Sequence, residues 1–265
     1  MTKLNLPVRL TVGIAGLTFL LPTAGCSSTT SGSELDHVSE LTSNCLADAK
    51  PAGSINMDGT DSTQSPALLE SRWSAATDLA TEVAACGGHL RISVFTSSAS
   101  ASTVLFDGDL IPTGATDIAK VRSVSKLVEQ AIETAKADYA AAIAALPQDS
   151  TDVTASLGSA REYLEQLNAS DQQYALTVLV LTDGIQNVGV SVGDPSLTSD
   201  DARASAAQAV LPDLSGATVT FAGIGRVSGN QPPTSYTDAL KVFYETVCSS
   251  THAASCTVVT DYTGR

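Results

Sequence analysis

Positive charge is in short supply: 14 Lys and Arg face 28 Asp and Glu in 265 residues, a formal net charge of −14. Lys3 and Arg9 both fall within the first ten residues, so the chain beyond them carries about −16. A field of that sign argues against nucleic acid and an anionic membrane face as partners and favours cations or basic surfaces. Histidine is nearly as scarce, with only His37, His89 and His252. His252 comes late in the chain, where a serine hydrolase would want it, but no Gly-x-Ser-x-Gly elbow accompanies it. Gly223, Gly225 and Gly229 miss the dinucleotide-binding spacing, and no Lys-Ser/Thr follows them, so the familiar phosphate cradles are excluded as well. No Cys-x-x-Cys pair occurs, which leaves a thiolate zinc site without a core. Long apolar runs are also missing, for Leu10 to Leu21, about 12 residues, is too short to span a bilayer comfortably.

What the chain does have at its start is a positive flank, that apolar run, and the small residues Thr23-Ala24-Gly25 before Cys26. Together they form the pattern of a secretory signal. The exit resembles a bacterial lipoprotein processing site, in which the thiol receives lipid and becomes the mature N-terminus. The resemblance implies an exported protein, lipid-anchored through Cys26 to the outer face of the cell membrane and touching the membrane through that lipid alone. Residues 1–25 then form the signal peptide, 26–44 a tether that opens with Ser27 to Ser33, and 45–265 a single folded domain, since no long polar linker divides the remainder. Four further cysteines lie in an oxidising compartment. Cys248 and Cys256 bracket a seven-residue loop and are expected to pair, which leaves Cys45 for Cys86.

The periodicity alternates between strand and helix. Ser54 to Met57 is a weak strand candidate. After Pro66, the residues Leu69, Trp73, Ala76, Ala80 and Val83 share one helical face, and Gly87-Gly88 stops that helix. Strands are expected at Leu90 to Val94 and Thr103 to Phe106, then helices at about 124–146 and 153–167. The clearest strand is Ala175 to Leu181, apolar on both faces in its second half, as the middle of a parallel sheet requires. Helix, strand, helix and strand follow around Ala204 to Leu211, Val219 to Ile224, Tyr236 to Val247 and Cys256 to Val259. This order predicts a doubly wound, mostly parallel α/β sheet covered by helices on both faces, with its ligands beyond the carboxyl ends of the strands.

Two polar knots fall at such ends: Asp58-Gly59-Thr60-Asp61-Ser62 after the weak strand and Thr182-Asp183-Gly184 after the central one. They resemble the metal-ion-dependent adhesion site of von Willebrand factor type A domains, a D-x-S/T-x-S run after the first strand and a T-D-G after the fourth. That resemblance, over roughly residues 54–259, implies Asp58, Thr60, Ser62 and Asp183 as ligands, with a further Thr from the loop before the preceding helix. Thr151 stands in that place; Thr116, in a similar Thr-Asp pair, is the substitute, but more than one helix separates it from the T-D-G strand.

The chemistry also stands without the family. Mg²⁺, like its analogue Mn²⁺, favours about six oxygens, and Ca²⁺ tolerates more. Two carboxylates roughly neutralise a dication while hydroxyls fill other positions, so the metal stays electrophilic toward an acidic residue of a protein partner. No bond need break, and the expected activity is binding rather than catalysis. A metal-dependent hydrolase or phosphatase, and a structural envelope module without an active metal site, are the alternatives. Asp61 and Asp152 are expected to deepen the local negative potential, and Asp107, Asp109 and Asp117 to form a solvated acidic patch.

Overall fold

The computed structural model describes residues 30–262; the expected signal peptide and Cys26 lie outside them. Six strands form one sheet in the order β3-β2-β1-β4-β5-β6, namely β1 (Lys50–Asp58), β2 (His89–Phe95), β3 (Ser102–Asp109), β4 (Tyr174–Leu181), β5 (Thr218–Ala222) and β6 (Ser255–Val259). All neighbours run parallel except β2 and β3, which are antiparallel. The flanking helices are α1 (Thr30–Ser43), α2 (Pro66–Ala85), α3 (Asp117–Ala145), α4 (Ala155–Asn168), α5 (Ser199–Ala206) and α6 (Thr234–Ser250). The arrangement is α/β and compatible with a Rossmann-like fold.

Strand β4 owes its central place to its letters. Leu179 and Leu181 join a cluster with Leu79 and Val83 of α2 and Val128 of α3, while Leu176, Val178 and Val180 join another with Leu157 of α4 and Phe243 of α6. Successive side chains of a strand point in opposite directions, so an uninterrupted apolar run fits only where both are covered. The weak strand candidate is, in contrast, a nine-residue strand hydrogen-bonded on both edges and buried from Ala52 through Asp58. Its polar residues are satisfied internally: Asn56 Nδ2 donates to Ser54 Oγ (3.1 Å), and Ser93 Oγ of β2 donates to Asn56 Oδ1 (3.0 Å). Burial of these groups costs little once they are paired.

Residues 26–44 are not an extended tether throughout. Residues 30–43 form α1, whose Val38 is 2% exposed within the core cluster of α2 and α3, with Leu41 packed against it. The apolar spacing of Val38 and Leu41 matches a helical face, and burying that face favours a docked helix over a free one. Disulfides join Cys45 to Cys86 and Cys248 to Cys256, the pairing expected, with Cα atoms 5.5 and 6.1 Å apart. Among the described residues no helix is long and apolar enough to cross a membrane.

Candidate metal centre

Parallel pairing sets Met57 beside Leu181, so β1 and β4 deliver Asp58 and the Thr182-Asp183 pair to the same end of adjacent strands. Both carboxylates are wholly buried, at 0% exposure. Asp58 is well supplied with donors. Thr60 gives Oδ1 its hydroxyl (2.6 Å) and its amide (3.0 Å), and the Thr182 hydroxyl donates to Oδ2 (2.7 Å). Ser62 closes the loop, its Oγ 3.5 Å from that of Thr60. A short 3₁₀ turn, Asp61–Thr63, holds this geometry, with Thr63 Oγ1 bonded to the carbonyls of Asp58 (2.9 Å) and Thr60 (2.8 Å).

Asp183 is treated differently. Its Oδ1 accepts from the Ile185 amide (2.8 Å), but Oδ2 is buried with no hydrogen-bond partner. Burial first, and then the neighbouring charge of Asp58, push its carboxyl upward, to about 7, against smaller lowering effects of the Ser62 hydroxyl, the Ile185 amide and Arg72. An ionisable oxygen left bare among like charges is an unfavourable arrangement unless a cation completes it. Gly184 makes the turn possible: its φ of 79° suits glycine, and a Cβ there would lie 2.9 Å from side-chain atoms of Ile224 and Tyr244.

The remaining candidates divide. Thr151 is 5% exposed, and its backbone is clasped to the loop after Asp183: its amide donates to Asn187 Oδ1 (2.8 Å), and its carbonyl accepts from Asn187 (3.0 Å) and Val188 (3.1 Å). Thr116, the substitute, is exposed and caps α3, its hydroxyl accepting from the Ala119 amide (3.2 Å). Asp152 caps the start of α4, accepting from the Thr154 hydroxyl (2.8 Å) and the Ala155 amide (3.0 Å). Asp61 is exposed. Asp107 is not simply solvated, because Arg91 pairs with it at 2.8 Å.

No protein-family model matches the chain, nor does any curated protein. Among solved structures there is a distant likeness to proximal thread matrix protein 1 from the mussel byssus, with a TM-score of 0.39 and 13% identity over 82% of this chain and 45% of that one. Another is to the pilus adhesin SpaC from Lactobacillus rhamnosus GG, at 0.42 and 12% identity over 83% of this chain and 30% of that one. Its open conformation scores 0.37. The chain spans less than half the length of each of these proteins, and likenesses so remote say nothing of the site's chemistry.

Three residues at this end of the sheet have roles that sequence reasoning did not assign. Thr182 belongs to the T-D-G knot, yet its hydroxyl serves Asp58 and also accepts from the Gly184 amide (3.0 Å). Gln186, 0% exposed, accepts from the Thr154 amide (3.2 Å) and ties the Thr151 loop to the Asp183 loop. Arg72 of α2 is also 0% exposed and reaches the carbonyls of Asp58, Leu181 and Thr63. Among the described residues no three acids, histidines or cysteines gather as a metal cluster, so hydroxyls would have to complete any donor set built on Asp58 and Asp183.

Proposed function

We propose that the chain is a von Willebrand factor type A-like domain that binds a divalent cation, Mg²⁺ or its substitutes Mn²⁺ and Ca²⁺, and through it a carboxylate of a protein partner. On this reading the sheet is doubly wound, with α1 to α3 on one face and α4 to α6 on the other. The observation that carries the reading is the bare, buried Oδ2 of Asp183 beside the equally buried Asp58. Asp58, Thr60, Ser62 and Asp183 would hold the ion, with Thr151 from the neighbouring loop. Their chemistry fits a hard cation, being all oxygen, two charged and the rest neutral. A bound dication would supply a Lewis-acidic centre with a coordination position left for an outside oxygen.

This chain's own groups do the rest. Thr60 and Thr182 hold the Asp58 carboxylate in one orientation, and the Ile185 amide holds one oxygen of Asp183 and leaves the other directed elsewhere. Prearranged acceptors of this kind favour binding because little side-chain freedom is lost at the moment of capture. Export and lipid attachment at Cys26 belong to the same proposal and rest on the first 26 residues of the sequence.

Calorimetry with Mg²⁺ and with Mn²⁺ tests the metal reading. Wild type is expected to bind both, and Asp183→Ala to bind neither appreciably while keeping its fold by circular dichroism. Equal heats for the two proteins would end the assignment.

A further inference from the structure

Arg72 is a buried cation without a buried acid attached to it. The side chain is 0% exposed, and among the described residues no carboxylate lies within ion-pair distance of it. Its guanidinium donates instead to three main-chain carbonyls: Asp58, Leu181 (3.2 Å) and Thr63 (3.4 Å), and Nε has no partner. Two of those carbonyls close β1 and β4, the strands that end in the proposed ligands. The helix geometry explains the reach, since side chains on α2 lean toward its N-terminus, which emerges from the Asp58 loop. Carbonyl dipoles alone offset little of the cost of burying a full charge. The carboxylates that share this end of β1 and β4 with it are those of Asp58, whose own carbonyl it binds, and of Asp183, two residues beyond Leu181, whose carbonyl it also binds.

We infer that Arg72 is a built-in counter-charge that sets the electrostatic balance of the Asp58 and Asp183 site, weakening its hold on the cation and reserving net positive charge for an anionic ligand. The inference rests on the metal reading proposed above. With Asp58 and Asp183 ionised and Arg72 charged, the buried group sums to −1 before a dication arrives and +1 after. A single outside carboxylate then brings the site to neutrality. Without Arg72, the same site would be neutral once loaded and would draw a carboxylate far less. Arg72 is thus a positioning and charge-setting residue, acting on the ligands through their carbonyls and through space.

A merely structural arginine and a charge-setting one differ in sign. Mn²⁺ binding is read by water-proton relaxation, and sodium acetate is then titrated into the loaded protein as the carboxylate probe. Arg72→Gln is expected to bind Mn²⁺ at least about tenfold more tightly, the usual scale for losing one nearby like charge, and to bind acetate at least about tenfold more weakly. Arg72→Lys should restore both values toward wild type. Loss of Mn²⁺ affinity in Arg72→Gln, or unchanged acetate binding, overturns the inference. So does failure of both Arg72→Gln and Arg72→Met to fold while Arg72→Lys folds with weakened Mn²⁺ binding, which would assign the residue to scaffolding. Wild type that binds no Mn²⁺ would remove the underlying metal reading together with this one.

Discussion

Replacing Asp183 by Asn should move stability in opposite directions depending on whether metal is present. In the metal-free protein the carboxyl is raised from 3.8 to about 7 by burial and by Asp58. The folded state therefore holds a proton that the unfolded chain would release. Stability from this group is complete below about pH 4 and is lost as pH rises through about 7. At pH 8 the ionised side chain then costs on the order of 4 kcal/mol, taking about 1.4 kcal/mol per unit over a rise from 3.8 to about 7. Asn matches the shape, keeps an oxygen for the Ile185 amide and carries no charge, so it relieves that cost. For a domain of this size, at about 2–4 °C per kcal/mol, the gain corresponds to roughly 8–16 °C in Tm. With MgCl₂ at about a hundred times the dissociation constant, wild type gains about 2.7 kcal/mol and the variant almost nothing. Thermal unfolding by circular dichroism at pH 8, in EDTA and then in MgCl₂, reads both effects. A variant that melts lower than wild type in EDTA, and still rises with Mg²⁺ as wild type does, would refute the reasoning.

Thr116→Ala should cost about 1 kcal/mol through loss of the α3 cap and leave Mg²⁺ affinity unchanged, whereas Thr151→Ala should weaken Mg²⁺ binding; paired denaturation and calorimetry separate the two. Removing the link between Cys45 and Cys86 as a double Ser variant should cost about 2–4 kcal/mol in urea unfolding, because it frees a loop of sequence separation 41. Mass spectrometry of the protein from its native membrane should find lipid on Cys26, and Cys26→Ser should release the protein into the soluble fraction.

The parts of the fold that were legible in the sequence are those whose neighbours are generic. Strand β4 reads clearly because an apolar residue can pack against any apolar partner, and the faces of α2 and α3 read for the same reason. Strand β1 reads poorly because Ser54 and Asn56 make sense only beside Ser93, which lies 37 residues from Asn56 in sequence. The acids Asp58 and Asp183 were visible through their turn glycines and their place at strand ends. Arg72 was not, for its partners are backbone carbonyls, and a carbonyl has no letter of its own. The same blindness hid the service of Thr182 to Asp58, a contact across 124 positions. Helix α1 was obscured by the Ser, Gly and Thr around it, which read as a flexible leader although Val38 and Leu41 have a core to enter.

If the chain is held at its N-terminus, as the proposed lipid on Cys26 would hold it, the sulfur link at the far end of α2 has a mechanical consequence. A pull arriving along the chain can unwind α1 only as far as Cys45, where the load divides between the backbone leading to β1 and the covalent bridge into Cys86. Helix α2 has 20 residues, so the bridged share lands roughly 30 Å from the carboxylate loop at its other end. Tension would be taken up by the hem of the sheet, and the paired carboxylates at its opposite rim would feel it last.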